Sequence, residues 1–537
     1  MKFILNTCMA SSILLATLTE GHAQQYAIKQ STVDIKGPQH VLLPCANGDY
    51  ITITYPFADD NDPVTIARFD HTLTQKFSYP IVELKKIHYQ SNIFLNGRLA
   101  LFCNDKDGNV SRYDIGENSG VLKGSPIPLF SFAAKEYDTK FYCGAAPGRN
   151  FNYLVTKQRV KHEKGTILQG VILDQQYGKV AAFSFTTPED NGDFNHVDFL
   201  QSDDGTLCMI YSINVKTAKD DYTPHTYIVV MVDTKGGTRT FPMNGIPRGD
   251  IGNVSWSIDS SRLSFTGFIA HEKKMGYTTV FTGSLDFQKR KGSSHLTEIG
   301  TLMAKVPDYL QKFKDNGIPT SVELLRSMKL SDGSHLVILE DNGSYNYQSH
   351  YAPMSPNNPG SSAAPTSLAM GTMSSYSITY YNRGNLFLIK TDPNGVPQWM
   401  NIITKNQREA DMAIAIGTAC TIDSKDNVHL FFEDKKKDKE PDSKKPQEIN
   451  GLRDKKNRLA CVCIDPTGNM TKEFIDIEMS KYRPILEHSE GYVRNELTFM
   501  AIRKHTAFSI NQMLNHADYH LGTISITPGR IPTLAGN

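Results

Sequence analysis

The chain has 537 residues, 39% of them hydrophobic, which is ample material for a large core. Lysine and arginine number 57 against 56 acidic residues, a net charge of +1. No global field draws in nucleic acid or an anionic bilayer, so neither is expected as a partner.

The first element reads as an export signal. Lys2 supplies the charge, Phe3 to Leu18 a mostly apolar run, and Gly21-His22-Ala23 a small-x-small cleavage site before Gln24. Asn6 and Thr7 interrupt a run already shorter than the ~20 residues that span a bilayer. Residues 1–23 are therefore expected to be a cleaved signal peptide, with the rest exported to the periplasm or beyond. No later stretch is long and apolar enough for membrane insertion. Seven of the 8 cysteines lie beyond this signal. An odd number cannot all pair within one chain, and most sit in apolar strands, such as ALFC around Cys103 and TLCMIY around Cys208. They read as buried small hydrophobes. Cys461 and Cys463 lack the second ligand pair of a zinc site.

From Val41 onward, short apolar strands alternate with polar or glycine turns. Hairpin turns centre near Gly48, Gly97, Gly148, Gly205, Ser260, Gly333, Asp426 and Gly491, roughly 50 to 90 residues apart. The clearest unit runs from Gly252 to Ile299 and reads as four antiparallel strands. A second signal follows most hairpins: an apolar strand closing on Asp70, Asp174, Asp233, Asp392 or Asp465 and then a turn. The Asp side chain can bond the backbone two residues on, and a following Gly supplies the positive φ. The second unit is the least regular, with NVSRYDIGENSG where this strand and turn belong. The eighth is one strand short, and Tyr26 to Ile35 is a strand without a unit. We expect it to complete the last unit and remove the exposed edges.

SWSIDSSRLSF, from Ser255 to Phe265, resembles the W-S-x-D-x-x-x-L-x-F core of bacterial β-propeller repeats of the TolB and WD40 types. The resemblance implies an all-β propeller fold, and the eight hairpin turns make it an eight-bladed β-propeller of four-stranded blades, or seven blades if the second unit is not one. Residues 24–537 then form a single domain. Propellers host enzymes and scaffolds alike, so the fold carries no function with it.

Insertions break the period. Val306 to Asn316 reads as a short helix, with Pro307 at its start and Gly317 at its end. Residues 343–377 are rich in Ser, Pro, Asn and Gly, with Tyr345, Tyr347, His350 and Tyr351 among them. Residues 434–457 are a mixed-charge run too polar to fold alone. Both longer insertions are expected between the second and third strands of their blades, and so on one decorated face.

Aromatics on a polar loop supply contact area at low entropy cost, so Tyr345, Tyr347, His350 and Tyr351 are the candidate binding residues. Arg248-Gly249-Asp250 spells an adhesion tripeptide, which chance also produces. His40, His88 and His196 stand near the starts of innermost strands, where converging imidazoles suit a transition metal or simply open a strand. His516 and His520 have helical zinc-site spacing but a loop-to-strand context. Asp105 to Asn109 has calcium-loop composition without its spacing, and hairpin chemistry accounts for it. No nucleophile elbow, phosphate loop or paired-carboxylate motif stands out, and no cofactor is expected. Two readings follow: a binding or scaffold protein recognising a protein or glycan of the cell envelope, or a propeller glycan hydrolase or lyase.

Overall fold

The structure is a computed structural model. It describes residues 25–30, 35–36, 40–45, 48–54, 63–81, 88–95, 98–105, 107–116, 118–132, 137–146, 150–160, 165–187, 194–214, 225–243, 250–258, 262–270, 276–289, 291–303, 307–350, 375–410, 416–437, 439–444, 446–450, 457–475, 482–490, 495–503 and 518–527. The described residues are nearly all strand, arranged as consecutive antiparallel meanders.

The first sheet takes its strands in order: His40–Pro44, Tyr50–Thr54, Val64–Phe69 and Gln75–Ile81. The second repeats that order from His88–Leu95 to Ile127–Ser131, with Asn109–Ile115 as its third strand. The irregular NVSRYDIGENSG therefore keeps the strand while losing the usual apolar pattern. The third, fourth and fifth sheets begin at Tyr137–Ala145, Phe194–Gln201 and Asp250–Ile258. The sixth begins at Val322–Lys329, the seventh at Thr418–Ile422 and the eighth at Tyr482–Glu490. The eighth sheet is completed from the other end of the chain. Gln25–Gln30 pairs antiparallel with Asp518–Thr527, Gln25 opposite Thr527 and Gln30 opposite Gly522.

One turn is used again and again. In Asp392 to Val396, the N–H of Asp392 donates to the Val396 carbonyl at 2.9 Å, and Gly395 N–H returns to Asp392 O at 2.9 Å. The Asp392 carboxylate accepts the N–H groups of Asn394 and Val396, each at 2.8 Å. Asp174, Asp233, Asp423 and Asp465 do the same with the residues two and four further on. The fourth turn residue needs positive φ, which Gly205, Gly333, Gly395 and Gly468 supply without steric cost. Asp105 makes the same pair of bonds, to Asp107 and Asn109, so its acidic loop is a hairpin turn.

The core lies between sheets. On the second strand of the second sheet, Leu99, Leu101 and Cys103 pack toward the first sheet, while Ala100 and Phe102 pack toward the third. Further clusters join the third sheet to the fourth, the fourth to the fifth, and onward to the eighth. Middle strands are therefore apolar on both faces, whereas outer strands such as Gln75–Ile81 alternate in exposure. The Tyr50 hydroxyl of the first sheet donates to the Glu496 carboxylate of the eighth. None of the seven cysteines from Cys45 to Cys463 is in a disulfide, and six of them are buried. Among the described residues, no helix is long and apolar enough to cross a membrane.

The helix expected over Val306 to Asn316 is two short turns, a 3-10 turn at Asp308–Leu310 and an α turn at Lys312–Asn316. Leu310 and Phe313 plug the seam between the fifth and sixth sheets, and Gly317 at φ 79° ends the segment. Near His516, the backbone from Asp518 onward is strand.

Candidate functional site

The sixth sheet departs from the common pattern. Its second and third strands, His335–His350 and Ser375–Thr391, are 16 and 17 residues long. Their flanking strands end early, at the pairs Val322 with Asp341 and Leu386 with Ile403. Beyond that level the pair runs on past its flanking strands as an arm, to His350 opposite Ser375. A register shift between Glu340 and Asn342 marks where the arm leaves the sheet, the usual work of a bulge. Gly384 sits close beside it there: a Cβ would lie 2.8 Å from the Asp341 carboxylate, which would have to shift. The insertion expected over 343–377 is therefore paired strand at both its ends, 343–350 and 375–377.

A second layer is built on the arm. After the fourth strand the chain returns as Gln407–Ala410 and pairs with the arm, Tyr380 opposite Ala410 and Arg383 opposite Gln407. The 434–457 insertion then adds Ile449–Asn450, parallel to Gln407 and Arg408. The same insertion is tied down at Thr404, whose N–H donates to Pro441 O at 3.0 Å and whose hydroxyl donates to Ser443 O at 2.8 Å. A run too polar to fold alone is thus folded by docking. The two insertions meet in one sheet.

Buried charge holds the base of this surface. Lys405 Nζ lies 2.5 Å from Glu340 Oε1, with side chains only 1% and 5% exposed. Glu340 also accepts the Thr418 hydroxyl at 2.7 Å and lies 3.7 Å from Arg383 Nε. Lys405 donates to Gln407 Oε1 at 2.9 Å, and Gln407 Nε2 donates to Glu433 O at 2.9 Å. Burial lowers the Lys405 pKa, and Glu340 opposes that shift. Nearby, Lys472 pairs with Asp434 at 2.7 Å. Above the network, the Arg408 guanidinium sits 4.1 Å from the centre of the Tyr380 ring.

Tyr345, Tyr347 and His350 fall on the arm, where their side chains lie outside the described residues; Tyr351 and Arg248 lie outside them entirely. Asp250 opens the first strand of the fifth sheet, far along the chain from the arm, and its side chain is likewise not described. His40, His88 and His196 lie on the first strands of their sheets, again without described side chains. Sequence reasoning missed Tyr380, Arg408, Lys405 and Glu340. Tyr380 carried a legible signal, the aromatic pair in SITYYN, but the strand recognised there, LFLIKTD, begins only at Leu386.

A narrow cleft between the fifth and sixth sheets is lined by Ser255, Ser257, Ser264, Ser284, Ser327 and His335, among others. Ser257 Oγ lies 3.3 Å from His335 Nε2. The lining contains no carboxylate.

No protein-family profile matches the chain, and no curated protein matches it in sequence. Solved structures that are similar include a prolyl endopeptidase, at 10% identity and TM-score 0.34, over 90% of this chain and 55% of that one. The chain thus spans about half the length of that enzyme. The β-propeller domain of the Trilobed protease from Pyrococcus furiosus is similar at 8% identity and TM-score 0.36, covering 82% of this chain and 99% of the domain. Apocarotenoid oxygenase from Synechocystis is similar at 10% identity and TM-score 0.31, covering 84% and 90%. The similar structures thus include a propeller domain, and likeness this distant transfers no activity.

Proposed function

We propose that this is an exported, non-enzymatic binding or scaffold protein of the cell envelope. It is an eight-bladed β-propeller closed by its N-terminal strand, and it recognises a protein or glycan through the arm-bearing face of its sixth and seventh blades. The consecutive inter-sheet clusters, the pairing of Gln25 with Thr527 and the Tyr50 bond to Glu496 support the closed ring. One observation carries the binding reading: the two insertions are hydrogen-bonded into one sheet through Gln407–Ala410. Backbone pairing pre-orders a surface, so less entropy is lost when a partner docks. Passive linkers have no need of such pairing.

The alternative, a glycan hydrolase or lyase, calls for carboxylates ~5–10 Å apart or converging imidazoles. The cleft beside Ser257 offers one imidazole and no carboxylate. Deleting Ser349 to Ser374 tests the binding reading, since it removes only the two outermost of the described pairs of the arm. The deletion is expected to melt as the intact chain does and to lose partners from envelope extract. Unchanged recovery would place binding elsewhere.

A further inference from the structure

Among the described residues, the outermost strands of most sheets carry a device that discourages further pairing. Lys76 and Pro80 guard the first, Pro128 the second, Lys179 the third, Arg239 and Pro242 the fourth. Lys291 stands on the fifth, Pro397 on the sixth and Lys29 on the eighth, whereas Lys472 on the seventh is buried against Asp434. Lysine and proline on edge strands are how soluble sheets avoid accretion. The arm breaks this rule. Residues 342–350 read NGSYNYQSH, with no Lys, Arg, Asp, Glu or Pro. Among the described residues, no strand pairs with 343–350 on the side away from Ser375–Asn382. It is an open edge.

We infer that this edge takes a second copy of the chain, pairing antiparallel about a two-fold axis at Asn346. Such an axis sets Asn346 opposite its copy, Ser344 opposite Gln348, and Tyr345 opposite Tyr347 on both sides of the axis. The edge is its own complement: uncharged, so no like charges face each other, with two aromatic cross-strand pairs. Two-fold interfaces of one patch with itself are the commonest way soluble chains assemble. Edge pairing extends the sixth sheet through both subunits and leaves the faces of the arm open to another partner. It needs only the purified chain, so it stands or falls independently of any envelope ligand.

Light scattering on the eluting protein across a concentration series reads the result. The unaltered chain is expected to move from monomer to dimer mass. Asn346→Lys, which sets a lysine against its own copy, is expected to stay monomeric with an unchanged melting temperature. Mixing it with Asn346→Glu is expected to restore the dimer, because opposite charges then meet on the axis. Opposed residues of an antiparallel pair lie ~4.5–5.5 Å apart at Cα, within disulfide reach, so Asn346→Cys is expected to give a linked dimer under mild oxidation. A monomer throughout the series, a dimer undisturbed by Asn346→Lys, or no linked Asn346→Cys dimer overturns the inference. So does a mixture of the two charged variants that remains monomeric.

Discussion

Tyr50 and Glu496 are 446 positions apart in sequence, and the hydroxyl of one donates to the carboxylate of the other. Tyr50 belongs to the first sheet and Glu496 to the eighth. Burial, then the bond to Glu496, pushes the tyrosine pKa well above its ordinary value. The bond spans a seam that the short-range pattern of the chain does not foreshadow. Tyr50→Phe is expected to cost about 1–3 kcal/mol, because the carboxylate loses a donor where water is scarce. Urea denaturation measures it, and an unchanged midpoint would show that the seam does not depend on this bond.

The Glu340–Lys405 pair predicts an asymmetric mutant cycle. Glu340→Ala leaves the Lys405 ammonium buried without its closest partner, at a cost of about 3–5 kcal/mol. Replacing both residues with apolar ones of similar volume is expected to recover most of that loss. Recovery in the double variant, read as the denaturation midpoint, separates desolvation from lost packing. If the double variant is as weak as Glu340→Ala, the pair is not where the energy lies.

Acid sensitivity is expected to concentrate in the turns. Burial raises the Asp423 pKa, but hydrogen bonds from His429, the Asn427 side chain and the Asn427 and Lys425 N–H groups outweigh it and hold the group at about 2. Its folded pKa lies below its unfolded value, so its contribution is present above about pH 4 and is lost as pH falls toward 2. Asp70, Asp105 and Asp332 are also held below the usual range, first by side-chain bonds from Thr72, Asn109 and Ser334. Asp423→Asn is expected to flatten the loss of stability between pH 4 and 2, measured as denaturation midpoints at several pH values. An acid profile identical to that of the unaltered chain would contradict it.

Two turn glycines separate backbone strain from crowding. Gly333 has φ 81° with open space around a new Cβ, the nearest atoms being on Pro393 at 3.6 Å. Gly333→Ala is expected to cost about 1–2 kcal/mol from conformation alone. Gly205 has φ 88°, and its Cβ would lie 2.6 Å from Thr234 and 3.1 Å from Phe151. Gly205→Ala is expected to cost clearly more. Equal shifts in melting temperature would mean that the Thr234 and Phe151 side chains simply move aside.

The repeat, its turns and its strand order were legible in the sequence because they are local. An Asp such as Asp392 bonds N–H groups two and four residues on, and the positive φ of that turn is met by the glycine within it. Alternation and turn chemistry act over a few residues, so a few residues reveal them. The unassigned strand near Tyr26 was legible too, and it pairs with Asp518–Thr527. The candidate surface was legible only in outline. Its two insertions were readable as interruptions on one decorated face, but nothing near them in the chain says that Gln407–Ala410 joins them. Lys405 and Glu340 look like ordinary surface charges until packing of the sixth sheet against the seventh removes water from both. Burial and edge pairing at long sequence separation are set by how whole sheets pack. That is why the sequence by itself determined the strands and turns, while tertiary structure alone decided which charges are buried, which insertions meet and which edge is left open.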